Sequence, residues 1–137
     1  MYVQRASDAE ITDEYGCDFR RLYPWKGVID TPLWGSAWAT LPPGRTSSPH
    51  SHDEHETFIV VRGEGEMRVG DDAMQVSAGD VVYLPPESHH SITNVSPTDD
   101  LHILCVWWGG AEADARMADM VDRARATAAA EPAAASA

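Results

Sequence analysis

The chain has 137 residues and a net charge of −12, from 10 Lys and Arg against 22 Asp and Glu. This length predicts one domain with a core that needs no disulfide framework, and Cys17 and Cys105 are the only cysteines. The acidic balance excludes nucleic acid as an expected partner, because such a surface repels phosphate backbones. We also expect no membrane span, no secretion signal and a cytoplasmic location, since long apolar runs are absent.

The first third of the chain changes from a mixed segment to a clear strand. Residues 1–33 predict an N-terminal extension with edge strands, in which residues 7–14 form at most one helical turn. Residues 34–41 alternate bulky Trp34 and Trp38 with small residues, which is typical of a β-strand with one bulky and one small face.

Short runs of β-forming residues separated by Gly and Pro continue to residue 108. They predict strands at residues 55–62, 66–69, 74–76, 81–84, 89–95 and 101–108. No helical crossover separates them, so parallel βαβ units are excluded. We therefore predict an all-β sandwich or barrel over residues 34–108.

Residues 109–131 have a different pattern, with Met117, Met120 and Val121 at helical spacing. They predict a C-terminal α-helix whose apolar stripe packs on the barrel or on a neighbouring chain. Residues 132–137 begin with a proline and are expected to form a tail.

Potential metal ligands concentrate before the strand at residues 55–62. His50, His52 and Glu56 lie at positions of one parity, so an extended chain directs them to one side. Imidazole and carboxylate together suit a divalent transition metal. His55 has the opposite parity and is not expected to be a ligand.

Two stretches resemble the two motifs of the cupin superfamily. The first motif matches Gly44, His50, His52, Glu56 and Gly63, and the second matches Gly79, Pro85, His90 and Asn94. One position departs, because Glu87 stands where the family pattern has glycine. The resemblance implies a double-stranded β-helix (jelly-roll) barrel that brings His90 beside the other three ligands.

The resemblance implies one divalent metal held by His50, His52, Glu56 and His90. Zinc is the expected metal, with Fe(II), Mn and Ni as alternatives. Because imidazole must be neutral to bind, occupancy is expected to fall below about pH 6. His89 is expected to lie outside the site.

Further residues are candidates for substrate contacts. Arg62 has the parity of the ligands and points inward if no bulge intervenes, while Tyr83 and His102 are hydrogen-bonding or proton-carrying candidates for catalysis. Aromatic or basic side chains are the candidates for the pocket wall: Trp34, Trp38, Arg45 and Trp108.

These features favour a metal-dependent enzyme that acts on a small polar, amino-acid-derived molecule in secondary metabolism. Residues 28–72 resemble the zinc cupins that work with synthetase-like enzymes to form the N–N bond of hydrazines, which implies a separate synthetase-like partner. The alternatives are a non-heme iron dioxygenase or an isomerase, and a non-catalytic small-molecule-binding module. A homodimer is expected, because barrel edges need cover.

Overall fold

The computed structural model describes residues 1–8 and 10–131, which form nine strands and one α-helix. A short 3₁₀ turn at Ala6–Asp8 precedes the first strand. The strands are β1 Thr12–Glu14, β2 Cys17–Tyr23, β3 Trp34–Leu41, β4 His55–Arg62, β5 Glu64–Val69, β6 Asp72–Ser77, β7 Val81–Leu84, β8 His90–Asn94 and β9 Leu101–Trp108, and the helix is α1 Gly110–Ala130.

The strands form two antiparallel sheets that confirm the all-β prediction. One sheet has six strands in the order β1-β2-β3-β9-β4-β7, and the other has three in the order β6-β5-β8. The segment between β3 and β4 reaches the smaller sheet through two isolated bridges, Thr46 to Thr93 and His50 to His90. This link between the sheets lies beside the predicted metal ligands.

The core lies between the two sheets and is formed by alternate residues of the central strands. Its buried apolar side chains include Ala37, Ala39 and Leu41 on β3, Phe58 and Val60 on β4, Ile92 on β8, and Leu101, Ile103 and Cys105 on β9. The small face of β3 therefore points inward, and its tryptophan face points outward. Because the side chains on the inward face of β3 are small, space remains inside the barrel next to β2 and β9.

The N-terminal extension forms a hairpin that widens the larger sheet. Residues 7–14 were expected to form at most one helical turn; in the structure a 3₁₀ turn at Ala6–Asp8 overlaps the start of this range, and β1 occupies its end at Thr12–Glu14. Tyr15 and Gly16 both have positive φ, 55° and 72°, and form the tight turn into β2. Antiparallel pairing of β1 with β2 explains the strand, since the hydrogen bonds of this hairpin override a weak local preference.

Helix α1 forms where it was predicted but does not pack on the barrel. None of its described residues is buried, and Met117, Met120 and Val121 are 46%, 41% and 39% exposed. Its first turn is attached by the Asp53 carboxylate, which accepts the Ala111 N–H at 2.7 Å. The predicted tail at residues 132–137 lies outside the described residues. No helix among the described residues has the length and apolar character needed to cross a membrane.

Candidate metal centre

The four predicted ligands are brought to one place by strand pairing. His50 and His90 exchange two backbone hydrogen bonds, with N–O distances of 3.3 Å and 3.0 Å. Their imidazole rings consequently lie side by side, 4.4 Å apart between centroids. Glu56 is buried on the inward face of β4, and His52 is four residues before it on the same side.

The donor atoms of these four residues have the spacing of a metal-ligand set. One donor atom from each of His50, His52, Glu56 and His90 lies within 4.8 Å of all the others. The Glu56 Oε2 atom is 2.9 Å from His52 Nε2 and 3.5 Å from His90 Nε2. Adjacent ligands held at about 2.1 Å from one ion lie about 3.0–3.4 Å apart, so the cluster can hold a divalent metal.

Each histidine uses its Nδ1 atom for a hydrogen bond to a backbone carbonyl. A carbonyl oxygen can only accept, so Nδ1 carries the proton and Nε2 keeps its lone pair. The lone pair is then free for a metal. The three bonds join His50 to the Ser48 oxygen at 2.8 Å, His52 to the Glu54 oxygen at 3.2 Å, and His90 to the Ser88 oxygen at 2.9 Å.

The environment of the His90 Nε2 atom indicates whether a metal fits the cluster. His90 is 3% exposed, and Nε2 has no hydrogen-bond partner among the described residues. A buried polar atom without a partner is costly and rare in a folded protein. Metal coordination would satisfy this atom, and three nitrogens with one carboxylate oxygen suit a divalent transition metal.

Protonation also favours coordination at His50. Burial lowers the pKa of His50 below its ordinary value, although the hydrogen bond to Ser48 opposes this shift. The neutral imidazole is therefore the favoured form near pH 7. Tyr15 stacks on this ring, with 4.4 Å between centroids, and fixes its plane.

A cavity of about 180 Å³ adjoins the cluster inside the barrel. Its wall is mostly apolar near the sheets, apart from Arg21 on β2, and is charged near the ligands. The lining residues are Tyr15, Cys17, Phe19, Arg21, Ala39, Leu41, Ser47, His50, His52, Glu54, Glu56, Phe58, Ile92, Ile103, Cys105 and Trp107. A small molecule in this cavity would lie directly against the cluster.

The structure places the three catalytic candidates away from this cavity. Arg62 is exposed, because a bulge between Val60 and Arg62 reverses the parity that was expected to direct it inward. His102 lies on the outer face of β9, where its Nδ1 is 3.0 Å from the Thr40 hydroxyl. Tyr83 is 50% exposed and shares a 2.7 Å hydrogen bond with His55.

The four pocket-wall candidates also lie outside the cavity. Trp34 and Trp108 are 42% and 38% exposed, Trp38 is on the outward face of β3, and Arg45 is in an exposed turn. The interior of the barrel accepts only the small face of β3. Gly35 shows why, since a Cβ there would lie 2.5 Å from the Trp107 ring. Trp107, which has the opposite parity from Trp108, is the tryptophan that lines the cavity.

The sequence interpretation missed the contribution of the N-terminal hairpin. Tyr15, Cys17, Phe19 and Arg21 all line the cavity. The last three alternate along β2 with outward-facing residues, which is a strand signal, but the run is short and contains three charged residues. Tyr15-Gly16 was the available turn signal, because glycine readily adopts positive φ.

Glu87 occupies the position where the family pattern has glycine, and it retains the backbone shape that glycine would give. Its φ is 61°, in the left-handed region that L-residues rarely adopt. Its N–H donates to the His52 oxygen at 2.7 Å. This bond connects the turn before His90 to the first ligand segment, so the departure leaves the turn intact.

The two cysteines that face the cavity are expected to react slowly with thiol reagents. Cys17 and Cys105 are 6% and 2% exposed. Burial raises the pKa of Cys17 to about 11 and also raises the pKa of Cys105. At pH 8 we expect iodoacetamide to modify the native protein at least about 100-fold more slowly than the urea-unfolded protein, because little thiolate is present. Equal rates, measured by mass spectrometry, would contradict this.

A jelly-roll barrel whose interior carries three histidines and one carboxylate places the chain among small barrels with a candidate metal site. The family model for the cupin domain matches residues 37–107. The chain therefore belongs to the cupin family, as the two motifs predicted.

Comparison with known proteins gives the following similarities. A solved structure, a Cupin 2 conserved barrel domain protein from Salinispora arenicola, is 31% identical with a TM-score of 0.75, over 88% of this chain and 98% of that one. An uncharacterized protein from Methanocaldococcus jannaschii is 33% identical over 61% of this chain and 66% of its own length. An oxalate-binding protein from Thermotoga maritima is 35% identical over 43% of this chain and 50% of its own length.

A shorter similarity concerns an enzyme. A segment of 44 residues is 36% identical to gentisate 1,2-dioxygenase from a Haloferax species. The segment covers 32% of this chain and 12% of that protein. The chain thus spans less than two thirds of the length of these curated relatives. The similarities agree with a cupin that has a candidate site for a divalent metal.

Proposed function

We propose that this protein is a metal-dependent enzyme that acts on a small polar molecule held in the barrel cavity. The observation that carries the proposal is the cluster of His50, His52, Glu56 and His90, with donor atoms within 4.8 Å, beside a cavity of about 180 Å³. The limited volume restricts the substrate to a small molecule.

The residues of the chain would each perform a defined part of this function. The three carbonyl-bound imidazoles hold their Nε2 atoms toward one point, and Glu56 completes the set. When bound, the divalent ion would supply Lewis-acid polarisation of a substrate oxygen or nitrogen, or oxygen chemistry if it is iron. Phe58 and Trp107 line the cavity and would exclude water from a bound substrate.

The narrower form of the proposal is a zinc-dependent rearrangement of an amino-acid-derived ester that forms an N–N bond in secondary metabolism. It is supported by the resemblance of residues 28–72 to the zinc cupins of hydrazine synthesis and by a donor set that zinc accepts. A rearrangement needs polarisation and positioning but no redox change, which is compatible with zinc.

Two other functions have an observation in their favour. The short similarity to gentisate 1,2-dioxygenase favours an iron-dependent reaction with oxygen. The similarity to an oxalate-binding protein favours a site that binds a small molecule without converting it. Both use the same cluster, so the identity of the metal and the consumption of oxygen distinguish them from the main proposal.

Elemental analysis of the purified protein beside His52→Ala tests the proposal. We expect about one equivalent of zinc per wild-type chain and loss of zinc in His52→Ala, because one of the four donors is removed. His55→Ala is the matched control, since His55 turns toward Tyr83 instead of the cluster. Zinc would direct the next assay to ester rearrangement, whereas bound iron with oxygen uptake would contradict the narrower form. Absence of any metal would contradict the proposal as a whole.

A further inference from the structure

The charged side chains that line the cavity are unevenly distributed. Glu54 and Glu56 lie on the side of the metal ligands, while Arg21 lies on the N-terminal hairpin. Among the described residues that line the cavity, Arg21 is the one lysine or arginine. It is therefore the side chain suited to an anionic group of a bound molecule.

Arg21 is already held in place before any ligand binds. Glu14 contacts one edge of the guanidinium group, with Nη2 to Oε2 at 2.6 Å and Nε to Oε1 at 3.4 Å. The guanidinium carbon lies 5.4 Å from the Phe19 ring centroid and 5.8 Å from that of Trp107. The Arg21 side chain is 53% exposed, at the mouth of the cavity, and these contacts favour one position of its guanidinium group, so binding immobilises less side-chain freedom.

The guanidinium group keeps unused binding capacity. Glu14 occupies the Nε–Nη2 edge, and Nη1 has no hydrogen bond to any residue that the structure describes. The end formed by Nη1 and Nη2 is the second place where an arginine can bind a carboxylate through two parallel hydrogen bonds. Arg21 therefore combines a fixed position with a free recognition edge.

We propose that Arg21 selects molecules that carry a carboxylate and thereby determines the substrate class of the site. The carboxylate would pair with the guanidinium group, and an apolar body would pack among Phe19, Ile103 and Trp107. The opposite end of the molecule then faces the cluster. This inference rests on the proposed function, because it places the ligand in the same cavity.

The adjacent residue offers a matched control. Arg20 is on the same strand but faces the opposite side, and it does not line this cavity. Its Nη2 atom donates to the Arg5 oxygen at 3.3 Å, outside the barrel. Arg20→Gln and Arg21→Gln therefore remove the same charge from neighbouring positions, and only the second removes it from the cavity.

Calorimetric titration with benzoate and with its uncharged analogue benzamide tests the inference. We expect wild-type protein and Arg20→Gln to bind benzoate more tightly than benzamide. In Arg21→Gln, benzoate binding should weaken by about tenfold or more, because a hydrogen bond to a charged group is lost, and benzamide binding should not change. Arg21→Lys, which keeps the charge but loses the two-pronged geometry, should give an intermediate value.

Each titration is made with zinc-loaded and with chelator-treated protein, which separates this inference from the proposed function. Benzoate binding that depends on Arg21 in a protein that takes up no zinc during loading would support the inference and contradict the metal-dependent function. Protein that holds zinc but binds benzoate equally with and without Arg21 would overturn the inference alone. Failure of wild-type protein to bind benzoate in either form would also overturn it.

Discussion

Replacement of His90 by alanine is expected to weaken zinc binding by at least about 100-fold, because it removes one of the four ligands. Loss of a residue that only hydrogen-bonds a ligand already reduces metal affinity by about 10–100-fold. The His90 ring is buried, and its Nε2 atom has no other partner among the described residues. The predicted loss is measured by competition with a chromophoric zinc chelator.

His89→Ala is the control, because His89 is the same residue type, adjacent in sequence and exposed. Zinc at 100 times its dissociation constant should stabilise wild-type protein and His89→Ala by about 2.7 kcal/mol. At the same concentration, zinc should leave the stability of His90→Ala almost unchanged. If zinc binds His90→Ala as tightly as wild type, then the cluster is not a metal centre.

The position of the ligand cluster could be predicted from sequence because its geometry is encoded locally. Two-residue spacing in an extended segment puts His50 and His52 on one side, whatever surrounds them. The spacing of the second motif then identified His90, 40 residues after His50, as the fourth ligand. Periodicity alone does not predict that these two segments pair. The observed bridge between His50 and His90 is that pairing.

The cavity wall could not be predicted in the same way, because it depends on events outside the local pattern. A single bulged residue after Val60 was enough to turn Arg62 to the outside. Alternation in β3 identified its two faces but not which of them faces the core, and the narrow interior selected the small face. The contribution of Arg21 depends on pairing of β2 with β3 across a connection at residues 24–33 without regular strands, where sequence gives little information.

Replacement of Asn94 by alanine is expected to reduce the free energy of unfolding by about 2–4 kcal/mol, although Asn94 does not belong to the ligand cluster. This motif residue ends β8 and is 1% exposed. Its Nδ2 group donates to the Leu41 oxygen at 2.9 Å and the Asp99 oxygen at 2.8 Å, and its Oδ1 accepts the Ser96 N–H at 2.9 Å. Three hydrogen bonds are lost together, and the buried Leu41 carbonyl is left without its side-chain donor.

Two further variants determine whether hydrogen bonding is the cause. Asn94→Asp should be at least as destabilising as alanine at pH 7, because a carboxylate cannot donate and would place a charge beside two carbonyl oxygens. Thr93→Ala, which removes a single hydrogen bond to Thr46 at a more exposed position, should cost about 0.5–1.5 kcal/mol. Urea unfolding curves of chelator-treated protein give all three values without a contribution from bound metal. A loss below about 1 kcal/mol in Asn94→Ala would show that water replaces the missing amide, and that the end of β8 is less tightly closed than its burial indicates.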